Sequence, residues 1–119
     1  MSDQKTTIHE LQQKAAQFVA ERDWAQFHNP KNLSINISCE AAELLEIFTW
    51  TPEQNSAKLL ATKRTDIEHE VADIFLSLLE FCNHTNIDLA AAFERKFKLI
   101  QEKYPVDKAK SRPEKYTDL

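Results

Sequence analysis

Glycine is absent from all 119 residues. That alone excludes the glycine-rich phosphate loop and the GxGxxG dinucleotide turn, whose backbones cannot be built without it. It also disfavours tight hairpins, which lean on glycine where φ is positive. Cysteine is nearly as scarce. Cys39 and Cys82 stand 43 positions apart without a CxxC, which is neither a zinc ribbon nor a disulfide scaffold. Each lies in an apolar helical run and is expected to be a buried small hydrophobe. No run of 18 apolar residues and no charged-then-apolar leader occurs. The expectation is a cytoplasmic protein without signal peptide or membrane span. Strand alternation is missing too, which leaves an all-α, four-helix bundle-type fold in a single domain spanning residues 1–119.

The net charge of −4 is unevenly spread. Residues 95–115 carry eight basic side chains and three acidic ones, a window of +5 that leaves −9 for the remainder. An acidic body argues against a nucleic acid polymer as partner. It leaves a basic C-terminal segment to be explained.

Caps and periodicity predict four helices. The first covers about Thr7 to Asp23, with Ile8, Leu11, Ala15, Phe18 and Val19 at helical spacing. An aromatic connection, Trp24 to Asn29, leads to Pro30 at the first position of a second helix capped by Asn29. That helix carries Leu33, Ile37, Leu44, Ile47 and Phe48 and stops near Trp50 and Pro52. Leu59 and Leu60 suggest a short extra turn. Thr65 followed by Glu68 has the form of a capping box opening the third helix, which Asn83 to Asn86 should break. Asp88 caps the fourth, which ends before Pro105; the helical core is about residues 7–104 and the basic tail 105–119 is expected to be irregular. So small a domain gains from oligomerisation.

Two pairs of acids fall at the edge of, or inside, the apolar stripes: Glu40 and Glu43 on the second helix, Glu70 and Asp73 on the third. Each pair is three residues apart and shares a helix face. If these helices pack antiparallel, four carboxylates converge, and burying them without partners costs several kcal/mol each. Raised pKa values or a bound divalent cation would relieve that cost. Hard oxygen ligands suit Mg²⁺ or Mn²⁺ better than zinc. A di-iron bundle would need Glu-x-x-His on two helices, and only Asp66-x-x-His69 comes near. Solvated acidic faces are the bland alternative.

The arrangement Glu40-x-x-Glu43, 26 intervening residues, then Glu70-x-x-Asp73 resembles the ExxE…ExxD signature of the MazG-like all-α nucleoside triphosphate pyrophosphohydrolases. Arg22-Asp23-Trp24-x-Gln26-Phe27-His28-x-Pro30-Lys31-Asn32-Leu33 and Glu40 through Trp50 resemble the dCTP pyrophosphatase-like branch. Lys103-Tyr104-Pro105 and the segment Lys108 to Tyr116 are similar to its C-terminal end, so the likeness covers roughly residues 8–118.

This resemblance implies an Mg²⁺-dependent hydrolase, with Mn²⁺ as a substitute, that cleaves a nucleoside triphosphate between its α and β phosphates. It implies dCTP or a modified pyrimidine deoxynucleotide as substrate, a house-cleaning role in the nucleotide pool, and a homodimer or homotetramer. Glu40, Glu43, Glu70 and Asp73 would be the catalytic metal set. Trp24, Phe27, His28 and Trp50 would hold the base, and Lys31, Asn32, Lys96, Tyr104 and Lys115 the phosphates. The chain departs from the branch at Ala15, where a His is usual, at Ser77 in place of a Tyr, and at Ile100 in place of an Asn. A broader or shifted base specificity is therefore expected. The alternative is a non-catalytic helical module that binds a nucleotide or a protein.

Overall fold

The computed structural model describes residues 1–119. Six α-helices follow one another: α1 Ile8–Glu21, α2 Pro30–Phe48, α3 Ser56–Thr62, α4 Arg64–Thr85, α5 Leu89–Lys103 and α6 Val106–Ala109. Single 3₁₀ turns lie at Trp24–Phe27, Glu53–Asn55 and Tyr116–Asp118. The architecture is all-α, and no helix is long and apolar enough to cross a membrane.

Helix boundaries follow local chemistry. Thr7 caps α1 in a complete capping box: its Oγ1 accepts from the Glu10 N–H at 3.2 Å, and Glu10 Oε2 accepts from the Thr7 N–H at 2.6 Å. Asn29 Oδ1 caps α2 by accepting from the Asn32 N–H at 2.9 Å, with Pro30 at the first helical position. Asp88 caps α5 in the same way through the Ala91 N–H. The Thr65–Glu68 capping box does not form. Only Lys63 separates α3 from α4, so Thr65 is already inside the first turn, and Glu68 pairs with Arg64 at 2.6 Å. Nor do residues 83–85 break α4. It continues to Thr85 and ends where Asn86 turns left-handed at φ 57°. Without glycine, Asp23, Asn86 and Ser111 take the three positive-φ positions; Asn and Asp tolerate that region best among the side-chain-bearing residues.

The chain divides into two compact units, Met1–Asn86 and Ile87–Leu119. The division falls before α5, not before the tail at Pro105. In the first unit α4 is the spine, with α2 packed along it antiparallel and α1 and α3 alongside. On α2 the inward stripe is Leu33, Ile37, Glu40, Leu44 and Ile47; on α4 it is Ile67, Glu70, Ile74, Ser77 and Phe81. These positions alternate by four and three residues, the spacing of a helix–helix seam. Ala15, Leu33, Leu79 and Cys82 are the buried apolar residues. The expectation of a buried Cys39 is corrected: it precedes the stripe position Glu40, so it faces about 100° away, and it is exposed. Asn83 Nδ2 donates to the Gln12 carbonyl at 3.0 Å and ties α4 to α1.

Much of the apolar sequence pattern remains uncovered in one chain. Phe18, Leu45, Val71, Phe75 and Leu78 are exposed in the first unit, and Phe93, Phe97, Leu99 and Ile100 in the second.

The second unit is α5 and an ordered tail. Phe93 and Phe97 stack one turn apart at 5.4 Å. Tyr116 meets Tyr104 edge-on at 6.0 Å, its N–H donates to the Tyr104 hydroxyl at 3.2 Å, and Lys103 Nζ lies 4.7 Å from the Tyr116 ring centre. The tail expected to be irregular is therefore a helical turn, α6, followed by an aromatic clasp.

Candidate functional site

The seam between α2 and α4 carries acids where a helical bundle ordinarily carries aliphatic side chains. Glu40 and Glu70 occupy stripe positions, half-buried, while Glu43 and Asp73 stand one turn further on and are exposed. Because the helices run antiparallel, the two pairs face each other, and one carboxylate oxygen from each of the four lies within 4.8 Å of the others. Sequence spacing identified this set, and the fold brings it together.

Electrostatics at the cluster are unfavourable in the absence of a cation. Burial holds the Glu40 carboxyl above its ordinary value of 4.5, and the neighbouring Glu43, Asp73 and Glu70 charges add to the effect. Glu70 is raised in the same direction, by burial first and then by the neighbouring Glu43 and Asp73 carboxylates. Glu40 Oε2 and Glu70 Oε2 are buried with no hydrogen-bond partner. Buried polar atoms are normally satisfied, so two orphaned carboxylate oxygens inside one ring of acids call for a cation between them. Four hard oxygen donors and no sulfur or imidazole fit Mg²⁺ or Mn²⁺ chemistry; His69, next to Glu70, is exposed.

One turn beyond the acids, Asn36 Nδ2 donates to Ser77 Oγ at 2.9 Å. Ser77 is 4% exposed, and this bond joins α2 to α4 across the seam. It precedes Glu40 by four residues on one helix and follows Asp73 by four on the other, so it fixes the register that makes the carboxylates converge. Neither residue's inter-helix role was anticipated. The signal was the spacing itself, since Asn36–Glu40 and Asp73–Ser77 are both one-turn pairs.

The aromatic candidates divide. His28 lines a cavity of about 330 Å³ with Ala16, Val19, Ala20, Ala25, Glu80, Asn83 and His84. Trp24 packs edge-on against Phe18 at 5.5 Å and is partly exposed, while Phe27 is 64% exposed. Trp50 is 94% exposed. The two tryptophans flank opposite ends of the 19-residue α2, which spans about 28 Å. The length of α2 lies between them within one chain.

Of the phosphate candidates, Lys31 and Asn32 sit in the first turn of α2. Asn32 precedes Glu40 by eight residues, about 12 Å along the helix, too far for its short side chain to share a ligand atom with the carboxylates. Lys31 starts one residue further back. Lys96 is exposed on α5, and Lys115 flanks the Tyr116 ring at 5.9 Å. The Tyr104 hydroxyl is engaged in the clasp of the second unit.

Comparison with known proteins adds three findings. Residues 35–119 match the MazG-like family. The chain is 33% identical over 115 residues to dCTP pyrophosphatase 1 of Bos taurus, covering 95% of this chain and 68% of the relative. The human protein of that name is 32% identical over the same span. Among solved structures, a pyrophosphatase from Archaeoglobus fulgidus superimposes with a TM-score of 0.80 at 35% identity, covering 88% of this chain and 98% of that one.

Proposed function

Because this chain belongs to the MazG-like family, we propose that its four-carboxylate cluster hydrolyses a nucleoside triphosphate to the monophosphate and diphosphate. The enzyme is a nucleoside triphosphate diphosphatase, and its preferred substrate is dCTP or a modified pyrimidine deoxynucleotide. The observation that carries the reading is the ring of Glu40, Glu43, Glu70 and Asp73 with two orphaned, buried oxygens. The dCTP pyrophosphatase relatives support the choice of base.

In this mechanism Mg²⁺, with Mn²⁺ as a substitute, would be held by carboxylates drawn from the four acids. When bound, the cation neutralises phosphate charge and makes water a better nucleophile. The chain's own contribution is positional. Asn36 and Ser77 lock the register of the two helices, so the donors stay at the spacing an anionic triphosphate requires, and positioning with charge stabilisation dominates phosphoryl chemistry. A carboxylate of the ring that is not engaged as a ligand accepts the proton of the attacking water. The anhydride bond between the α and β phosphates breaks, and diphosphate leaves.

The exposed apolar faces favour a homodimer or homotetramer. A second chain also offers a route for Trp50 to reach a base approached by Trp24 of the first, since one chain's α2 keeps them apart. Assay of a panel of nucleoside triphosphates with Mg²⁺, with products resolved by chromatography, tests the proposal. Monophosphate with diphosphate is expected, with dCTP preferred. Nucleoside diphosphate with free phosphate would reject it, and no turnover would favour the binding-module alternative.

A further inference from the structure

The acidic stripe of α4 does not end at Asp73. Seven residues on, two helical turns and about 10 Å along the same face, stands Glu80, and Ser77 lies between them. Glu80 lines the 330 Å³ cavity bounded by Ala16, Val19, Ala20 and Ala25 and by His28. The volume matches a small-molecule site, and its small apolar walls meet four polar side chains, Glu80 with His28, Asn83 and His84, that can orient a ligand. Glu80 is half-buried and belongs to none of the chain's ion pairs. Burial pushes its carboxyl up, while His28 pulls it back down. Its carboxylate opens to the cavity and is not among the sealed, unpartnered oxygens of the chain, so it is free to accept a hydrogen bond from a molecule seated there.

Resting on the hydrolase reading above, we propose that Glu80 determines base specificity by accepting a hydrogen bond from the exocyclic amino group of a cytosine seated in this cavity. Two turns of helix separate it from the acid ring, comparable to the reach from a nucleotide's α phosphorus to the far edge of a pyrimidine. A carboxylate paired with the cytosine amino group is an established form of base reading. Uracil and thymine present a carbonyl oxygen at the same position, and two acceptors face to face repel. The Ala and Val walls admit a flat ring without competing for its polar edge.

Two measurements test this. In the first, kcat/KM for dCTP and dUTP is compared in the wild type, Glu80→Gln and Glu80→Ala. The dCTP:dUTP ratio should fall about tenfold in both variants, the discrimination expected of one such contact, with dUTP turnover retained. An unchanged ratio in both variants overturns the assignment. In the second, deoxycytidine and deoxyuridine are titrated without any divalent cation and followed by calorimetry or NMR. Wild-type protein should bind deoxycytidine in preference to deoxyuridine, and Glu80→Ala should lose that preference. If no triphosphate is hydrolysed, the hydrolase reading falls but the titration still decides the pocket. Absence of deoxycytidine binding, or binding indifferent to Glu80, removes it.

Discussion

Replacing Glu43 by Gln keeps the shape of the side chain and deletes one charge from the acid ring. Glu43 contributes to the raised pKa of both Glu40 and Glu70, so its charge is felt on both sides of the seam. At the 4.8 Å outer separation of the ring, one pair of unit charges costs about 0.9 kcal/mol in a water-like dielectric. Glu43 is exposed, so that dielectric is the appropriate one. Relief of the Glu40–Glu43 pair alone should raise the metal-free melting temperature by about 4 °C for a chain of this size. With the cation present the sign reverses, because a ligand has gone. The stabilisation that Mg²⁺ gives by mass action should shrink, and turnover should fall about 10²-fold or more. Differential scanning fluorimetry with chelator and with Mg²⁺, beside a diphosphate-release assay, reads both effects. Near-wild-type turnover, or a lower metal-free melting temperature, would refute the reasoning.

Folded-state values above 4.5 at Glu40 and Glu70 mean that the native chain holds protons the unfolded chain has released. Their stabilising contribution is complete below pH 4.5 and is lost as pH rises through the raised values. Within the range where other groups do not titrate, the metal-free melting temperature should therefore drop between weakly acidic and neutral pH, and Mg²⁺ should flatten that drop. Ser77→Ala removes the acceptor of the Asn36 amide and should cost about 1 kcal/mol in urea unfolding, with a larger proportional loss of Mg²⁺ affinity than of helix content. Thr7→Ala should cost about 1 kcal/mol as a lost cap, whereas Thr65→Ala should change stability little; circular dichroism melts of the two separate a formed capping box from an unformed one. Truncation after Tyr104 removes the lysines of the tail together with Tyr116. It should raise KM for the triphosphate and weaken its salt dependence while leaving Mg²⁺ binding nearly unchanged, as titration calorimetry would report.

The acid ring was legible in the sequence because helical spacing is local, and two pairs separated by three residues keep their faces whatever else the chain does. The caps at Asn29 and Asp88 were legible for the same reason. What was not legible depended on register. Asn36 and Ser77 acquire meaning only when α2 and α4 lie antiparallel with one turn of each opposed, and Glu80 only when α1 lies beside α4. Thr65–Glu68 has the same letters as Thr7–Glu10, but α3 ends one residue before α4 and leaves no room for a cap. Cys39 looked apolar in a run of apolar neighbours, and the stripe ran through Glu40 instead.

A backbone that makes its three left-handed turns with Asp23, Asn86 and Ser111 has no freely swivelling joint. Glycine-free connections narrow the unfolded ensemble and keep the short links between helices stiff in the native state. A lid that opens and shuts over a substrate ordinarily concentrates its dihedral changes in a few permissive residues. This chain spends its only positive-φ positions at helix ends and in the tail. The Asn36–Ser77 bond ties α2 to α4 as well, so neither the links nor the seam offers a loose joint. The four carboxylates therefore stand together before any closure around a ligand.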